Sequence, residues 1–147
     1  MTIRPRTAGL IATGAAAAVL AGAIASTGGG ATEHRRAAKP AEARAITAAV
    51  KSSPVAGLRA VRSRFDVTRI RVSTRSAYWA SADVTSKPAY ETTFQGGYAV
   101  LIRLARADRP GPWSVVDAGS DSVACGIAPT SVLRDLGLGG CPPGDSV

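Results

Sequence analysis

Two dense runs of β-branched and aromatic residues restrict the fold of this chain more than any other feature. The first run is Val100–Leu104, the second is Trp113–Val116, and Asp108–Pro112 between them contains two prolines and a glycine. Runs of this composition, separated by turn residues, predict two antiparallel strands of a buried hairpin. We expect this hairpin, within residues 97–125, to form the centre of the fold.

Two more strands are predicted before the hairpin, because apolar and polar residues alternate there with a period of two. In the first of these strands, which starts at Val67, Ile70 and Val72 face one way and Arg69 and Arg71 face the other. In the second, Trp79, Ser81 and Asp83 lie opposite a row consisting of Tyr78, Ala80, Ala82 and Val84. We expect the two strands to form a hairpin.

Helices are predicted on both sides of the strands. Pro40 fits the first turn of a helix that ends before Pro54, and Pro129 starts a short second helix with Gly137 at its C′ position. The residues from Val55 to Phe65 fit either a further short helix or a loop whose apolar residues lie under the domain.

The predicted order is helix, four antiparallel strands and short helix, which is an α+β fold. One face of the four-stranded meander has to be covered, and the first helix is the available cover. Cystatin-like and nuclear-transport-factor-like folds also pack a helix across an open sheet. That comparison is an analogy of fold and implies no function.

The first 25 residues are expected to be an export signal. Arg4 and Arg6 precede an uncharged run from Ala8 to Ala25, which ends in the small-x-small pattern Ala23-Ile24-Ala25. Cleavage after Ala25 would release the chain from the cell. The alternative is an uncleaved anchor, since the run approaches the roughly 20 apolar residues that span a bilayer.

A single domain is expected after the signal. Residues 26–39 include three consecutive glycines and no large apolar residue, so they are predicted to be a flexible tether before a domain at 40–147. Removing Arg4 and Arg6 lowers the formal net charge from +8 to about +6.

Cys125 and Cys141 are the two cysteines of the chain. An even number of cysteines close in sequence favours a disulfide in an exported protein, where free thiols are uncommon. This disulfide would hold the short second helix against the end of the last strand.

The sequence lacks the usual catalytic motifs. His34 is the single histidine and lies in the predicted tether, so a Ser-His-Asp or Cys-His site would lack its base within the domain. A disulfide would also remove thiolate catalysis and cysteine-bound metals. No catalytic residue, metal site or cofactor is therefore predicted. Asp83 and Asp117 are the acids on predicted strands that could act as a pair, and solvent-facing acids are the alternative.

Arginines are concentrated in one part of the chain, where six lie within seventeen residues. Of these, Arg69, Arg71 and Arg75 share the same parity on a strand and would form a row about 20 Å long. Such a row could contact an anionic cell-wall polymer, a membrane surface or an acidic protein. It could equally be a solvated strand face that discourages edge pairing. Nucleic acid is not expected, because no aromatic residues are interleaved with the arginines.

A second candidate surface is the connection from Ser86 to Gln95, which carries Tyr90 and Phe94. If exposed, the two rings could contact another protein, whereas buried rings would cover the end of the sheet.

The C-terminal part of the chain resembles small uncharacterised exported proteins of actinobacteria. The resemblance is carried by Trp-Ser-Val-Val-Asp at residues 113–117, Val-Ala-Cys-Gly-Ile-Ala-Pro at 123–129, Leu-Gly-Leu at 136–138 and Cys141. It implies a disulfide and a location outside the cytoplasm, and it implies no activity.

We therefore expect a secreted, non-enzymatic binding or accessory domain that contacts an anionic component of the cell envelope. The alternative is a secreted inhibitor or modulator of an extracellular enzyme, which would use the Tyr90–Phe94 connection. A membrane contact is expected only through an uncleaved signal.

Overall fold

The computed structural model describes residues 35–105, 110–120, 122–139, 141–142 and 144. In this part of the chain, five antiparallel strands form one sheet in the order β1-β2-β3-β4-β5. The strands are β1 Arg35–Ala37, β2 Phe65–Ser73, β3 Trp79–Ser86, β4 Gly97–Ala105 and β5 Pro110–Gly119. The helices are α1 Pro40–Ser52 and α2 Thr130–Asp135, with short 3-10 turns at Val55–Gly57 and Pro88–Tyr90.

The predicted α+β class is confirmed, but the sheet has one strand more than the predicted four. The additional strand is β1, which pairs with the end of β2 through Arg35 and Ser73. It lies inside the segment that was predicted to be a flexible tether. For residues 35–37 the prediction is wrong, because β1 is held by backbone pairing and arginine contacts, which a search for large apolar residues does not detect. The predicted export signal and residues 26–34 lie outside the described residues.

The first face of the sheet is covered by α1, as the sequence predicted. Ile46 and Val50 lie one turn apart on the helix, and both are fully buried. They pack with side chains from four strands, among them Phe65, Ala82 and Trp113. The segment after α1 consists of the 3-10 turn and further turns up to β2, with Leu58 buried in the same core.

The second face of the sheet is also covered, which the sequence did not predict. Val132, Leu133 and Leu136, from α2 and the residue after it, pack on Trp79 and Val100. All residues of β3 from Trp79 to Val84 are buried, and Trp79 is the one that packs in the core under α2. The fold therefore has two separate cores, one on each side of a shared sheet.

The C-terminal segment is fixed to the sheet by several contacts. The disulfide between Cys125 and Cys141 is present, as predicted. Gly137 has a φ of +77°, and the N–H of Leu138 donates to the carbonyl oxygen of Leu133 at 2.8 Å. This arrangement is a Schellman motif, so Gly137 ends α2 as predicted.

A β-bulge interrupts β2 at Arg69. Thr68 pairs with Asp83 and Arg71 pairs with Ser81, so β2 uses one residue more than β3 across this step. Arg69 has a φ of +42°. Because the bulge adds a residue, the side-chain parity on which the predicted arginine row depended changes within the strand.

Candidate functional site

The second face of the sheet is open beyond the area covered by α2. Trp79 and Val100 lie under the helix, whereas Asp83 and Tyr98, farther along the same strands, line a hollow of about 400 Å³. We call this hollow the polar cleft. The polar side chains that line it come from β2, β3, β4 and the adjoining segments, and they are Arg69, Asp83, Thr85, Ser86, Glu91, Tyr98 and Ser120.

An ion pair lies at the centre of the polar cleft. Nε of Arg69 is 2.7 Å from Oδ2 of Asp83. The two side chains differ sharply in exposure, since 71% of the Arg69 side chain is accessible and only 9% of the Asp83 side chain. Because Nε provides only one of the five guanidinium donors, four donors of Arg69 remain to bind another group.

Arg69 takes up a backbone conformation that most residues avoid. A φ of +42° lies in the left-handed region, which costs a residue with a Cβ atom roughly 1–2 kcal/mol. The bulge and the ion pair with Asp83 together hold the side chain over the open face. Strained residues persist where the surrounding structure fixes them, and they are concentrated at functional sites.

A second hollow, of about 280 Å³, lies on the other side of Arg69. Its charged lining consists of Arg35, Arg36, Arg69 and Arg71, and we call it the arginine hollow. It lies between β1 and β2 at the edge of the sheet. The unpredicted strand β1 therefore brings two additional arginines to the predicted anion site.

Arg36 and Arg69 are each held by an acid. Arg36 donates two hydrogen bonds to Glu42, at 2.7 and 2.8 Å. These hydrogen bonds lower the pKa of Glu42 to about 2 and raise the pKa of Arg36. Arg69 is paired with Asp83, as described above. Arg71 is half-buried and forms no ion pair with any residue that the structure describes.

Arg75 does not line the arginine hollow. It follows the end of β2, and its Nε is 3.1 Å from Oδ1 of the buried Asp135 in α2. The hydroxyl of Ser73 donates to the other oxygen of Asp135 at 3.3 Å. Arg75 therefore helps to attach α2 to the sheet, and two of the three predicted anion contacts line one hollow.

Asp83 and Asp117 do not form a carboxylate pair. They lie on β3 and β5, which are separated by β4, and each has its own partners. The carboxylate of Asp117 accepts hydrogen bonds from the backbone N–H groups of Ala118 at 2.8 Å and Ala124 at 2.6 Å. Asp117 thus stabilises the turn after β5.

The rings of Tyr90 and Phe94 are both engaged within the domain. Phe94 stacks on Phe65 with 5.6 Å between the ring centroids, and it packs against the first core. The guanidinium of Arg64 lies 5.7 Å from the centroid of the Tyr90 ring. Both residues are half-buried, and their predicted contact with another protein stays a prediction.

Tyr98 is a candidate residue that the sequence reasoning missed. Tyr98 alternates with Val100 and Ile102 on one face of β4, yet it is 37% exposed whereas Val100 is fully buried. It is exposed because it lies at the start of β4, beyond the area covered by α2. The preceding pair Gly96-Gly97 could have indicated this, since glycines in a strand accompany close backbone approaches.

Gly97 permits such an approach beside Tyr98. A Cβ atom at Gly97 would lie 2.5 Å from the carbonyl oxygen of Gly119 in β5, which is a steric clash. Gly96 is similarly restricted by the carbonyl oxygen of Val84 in β3, at 2.6 Å. The backbones of three strands therefore meet closely at the base of the cleft.

The part of the chain that the structure describes contains no cluster of three or more His, Cys, Asp or Glu that could hold a metal ion. Among the same residues, no helix is long and apolar enough to cross a membrane. The chain matches no family model, no curated protein and no solved structure.

Proposed function

We propose that the chain is an exported, non-enzymatic binding domain that binds an anionic component of the cell envelope through the arginine hollow. The observation that carries this proposal is the position of Arg69. Its guanidinium is largely exposed, while its orientation is fixed by the buried carboxylate of Asp83.

Fixing Arg69 before binding favours the capture of an anion. An arginine that is free to rotate loses side-chain entropy when it binds, at a cost of about 0.5–1.5 kcal/mol. The short ion pair with Asp83 has already restricted Arg69. The remaining donors form a planar fork that suits carboxylate and phosphate groups.

Neighbouring arginines extend this surface along the edge of the sheet. Arg71 lies two residues from Arg69 on β2, and β1 adds Arg35 and Arg36 across the ladder. An elongated anion can therefore contact several cations at once. We infer that a polymer with repeated negative charges fits this edge better than a single small anion, because each further contact adds to the binding free energy.

The alternative, an inhibitor or modulator of an extracellular enzyme, has less support from the geometry. It would require Tyr90 and Phe94 to reach a partner, but Phe94 stacks on Phe65 and packs against the first core. The arginine hollow, in contrast, includes the largely exposed side chain of Arg69.

Co-sedimentation with anionic cell-wall fractions tests the proposal. We expect Arg71→Ala to weaken retention roughly tenfold, because one charge-assisted hydrogen bond contributes about 1.5 kcal/mol. Arg69→Ala should weaken retention at least as much. Added salt should reduce retention of the unaltered protein, since the attraction is between charges.

Arg44→Ala is the matched control, because Arg44 is an exposed arginine on α1, which covers the opposite face of the sheet. It removes the same charge without altering the hollow. If Arg69→Ala, Arg71→Ala and Arg44→Ala all sediment like the unaltered protein, the arginine hollow is not the binding surface. The same conclusion follows if the three variants lose retention equally.

Export is the second part of the proposal and depends on residues 1–25. Mass spectrometry of the protein recovered from the culture medium should give a chain that begins at Ser26. A chain that keeps Met1–Ala25 and remains with the membrane fraction would support the uncleaved anchor instead.

A further inference from the structure

The polar cleft and the arginine hollow share Arg69 but differ in chemistry. In the arginine hollow the charged lining residues are all cations. In the polar cleft, Arg69 is paired with Asp83, and Glu91 and the hydroxyls of Thr85 and Ser86 complete much of the polar lining. The cleft therefore has no excess of positive charge, so it suits a neutral group rich in hydrogen-bonding atoms.

Tyr98 supplies an aromatic surface at this place. Besides the polar cleft it borders two further hollows, of about 390 and 220 Å³. Its side chain is therefore accessible from more than one side. Small residues surround it, since Gly96 and Gly97 precede it and Gly119 lies opposite it on β5. None of these neighbours covers the ring with a side chain.

We propose that the ligand is an anionic polysaccharide, with one neutral sugar unit in the polar cleft against Tyr98 and adjacent anionic groups over the arginine hollow. This inference rests on the proposed function. It adds the chemical class of the ligand, and it names the polar cleft as the site that distinguishes a polysaccharide from other polyanions.

The lining of the cleft matches the two kinds of surface that a sugar ring presents. The C–H groups on the face of a pyranose form an apolar patch that packs on an aromatic ring. The hydroxyls at its edge both donate and accept hydrogen bonds. Glu91 and Asp83 provide acceptors for them, and Thr85 provides a hydroxyl that can do either. A hollow of about 400 Å³ is within the size range of small-ligand sites.

The arrangement of the strands defines a path for the polymer. Tyr98 pairs with Asp83 across β4 and β3, and Arg69 lies on the next strand, β2. The distance from β4 to β2 is two strand spacings, or about 10 Å. A chain that leaves Tyr98 in this direction passes over Arg69 and reaches Arg71 and Arg36 at the edge.

Affinity electrophoresis of the unaltered and variant proteins in polymer-containing gels tests this inference. The probes are hyaluronan, in which carboxylate-bearing and neutral sugars alternate, a phosphate-bearing mannan, neutral mannan and inorganic polyphosphate. We expect binding to both anionic glycans, with the tighter of the two identifying carboxylate or phosphate as the preferred anion. Polyphosphate should bind more weakly because it has no sugar ring.

Tyr98→Ala should weaken binding to the preferred glycan about tenfold and leave binding to polyphosphate unchanged. Tyr98→Leu keeps an apolar side chain but no aromatic ring, so it should weaken glycan binding as much as Tyr98→Ala or somewhat less. This variant replaces Tyr98→Ala in the experiment if the alanine variant does not fold. Tyr78→Ala is the matched control, because Tyr78 is an exposed tyrosine before the opposite end of β3. It should bind like the unaltered protein.

The outcomes separate this inference from the proposed function. If Arg71→Ala weakens binding to every polyanion while both Tyr98 variants bind glycan normally, the anion site stands and the sugar site is wrong. Equal binding of polyphosphate and glycan, independent of Tyr98, overturns the inference in the same way. If no polyanion binds, the proposed function fails first.

Discussion

At the scale of the residue, Arg69 combines a strained backbone with an ion pair to a buried acid. The strain comes from a φ of +42°, and the ion pair holds the otherwise exposed side chain in place. Both features can be separated by substitution, because glycine tolerates a positive φ and alanine does not.

We predict that Arg69→Gly destabilises the fold less than Arg69→Ala, by about 1 kcal/mol. Both variants remove the ion pair and leave Asp83 unpaired, but only glycine fits the bulge without strain. Urea denaturation of the two variants measures the difference. A less stable glycine variant would show that the backbone at this position is not strained.

Glu42 gives a second residue-scale prediction, which concerns pH. Its hydrogen bonds from Arg36, and a further one from the backbone N–H of Lys39, hold its pKa at about 2, below the usual 4.5. A lowered pKa in the folded state stabilises the fold above the unfolded pKa, and this contribution disappears as the pH falls through the folded value.

We therefore expect Glu42→Gln to lower the free energy of unfolding by about 1 kcal/mol at neutral pH. The difference from the unaltered protein should shrink as the pH falls from about 4.5 to about 2. Denaturation at several pH values tests this. Glu91→Gln, at an exposed acid with no ion pair in the described part of the chain, should show no such change.

Residue patterns predicted some of these features and missed others for physical reasons. Burial of Ile46 and Val50 follows from helical periodicity. The positive φ of Gly137 follows from its position directly after a helix. The sequence pattern did not show that Arg75 lies beyond the end of β2, where it pairs with Asp135. The pairing of Arg75 with Asp135 joins residues 60 positions apart, which no local pattern detects.

At the scale of the element, α2 is short and depends on contacts outside itself. A six-residue helix is too short to be stable in isolation. The Cys125–Cys141 disulfide, the hydrogen bond from Ser73 to Asp135 and packing on Trp79 and Val100 hold it against the sheet.

Removing the disulfide by the double change Cys125→Ser and Cys141→Ser should lower the free energy of unfolding by about 3 kcal/mol, given its separation of 16 residues. We expect amide hydrogen exchange to increase first in α2 and only slightly in β3, because β3 keeps its ladders on both sides. Equal acceleration in α2 and β3 would mean that α2 is not an independently opening unit. Intact mass with and without reductant verifies the bond in the unaltered protein.

The strands β2 to β5 were predictable, because alternation and turn residues mark them, but β1 was not. A strand of three residues without a large apolar side chain gives no hydrophobic signal. It exists because the end of β2 offers unpaired backbone groups, and because Arg36 reaches Glu42 on α1. Arg35 and Arg36, two of the arginines that line the arginine hollow, thus lie on a strand that the hydrophobic pattern does not reveal.

At the scale of the whole molecule, the two cores are joined through the sheet. Trp113 belongs to the core under α1, and Trp79 belongs to the core under α2. The second core was not predicted, because the apolar residues of α2 indicated a helix but not the face on which it packs. Burial of Trp79, at the start of β3, follows from this placement.

We predict that the two cores unfold together. Trp79→Phe and Trp113→Phe each leave one tryptophan, which reports on a single face of the sheet. In each variant, the denaturation midpoint from tryptophan fluorescence should coincide with that from far-ultraviolet circular dichroism. Separate midpoints in either variant would show that one core can melt while the other remains.

The three residues of β1 also determine how the domain carries a mechanical load. Any tension applied to the chain before Arg35 enters the domain here, at a ladder of three residue pairs with β2. Arg36 donates a hydrogen bond to Glu42 on α1, and Arg35 donates one to the carbonyl oxygen of Leu136 at the end of α2. The applied force is therefore shared by the sheet and both helices. The side chains of this three-residue strand give it more mechanical attachment than its backbone pairs alone.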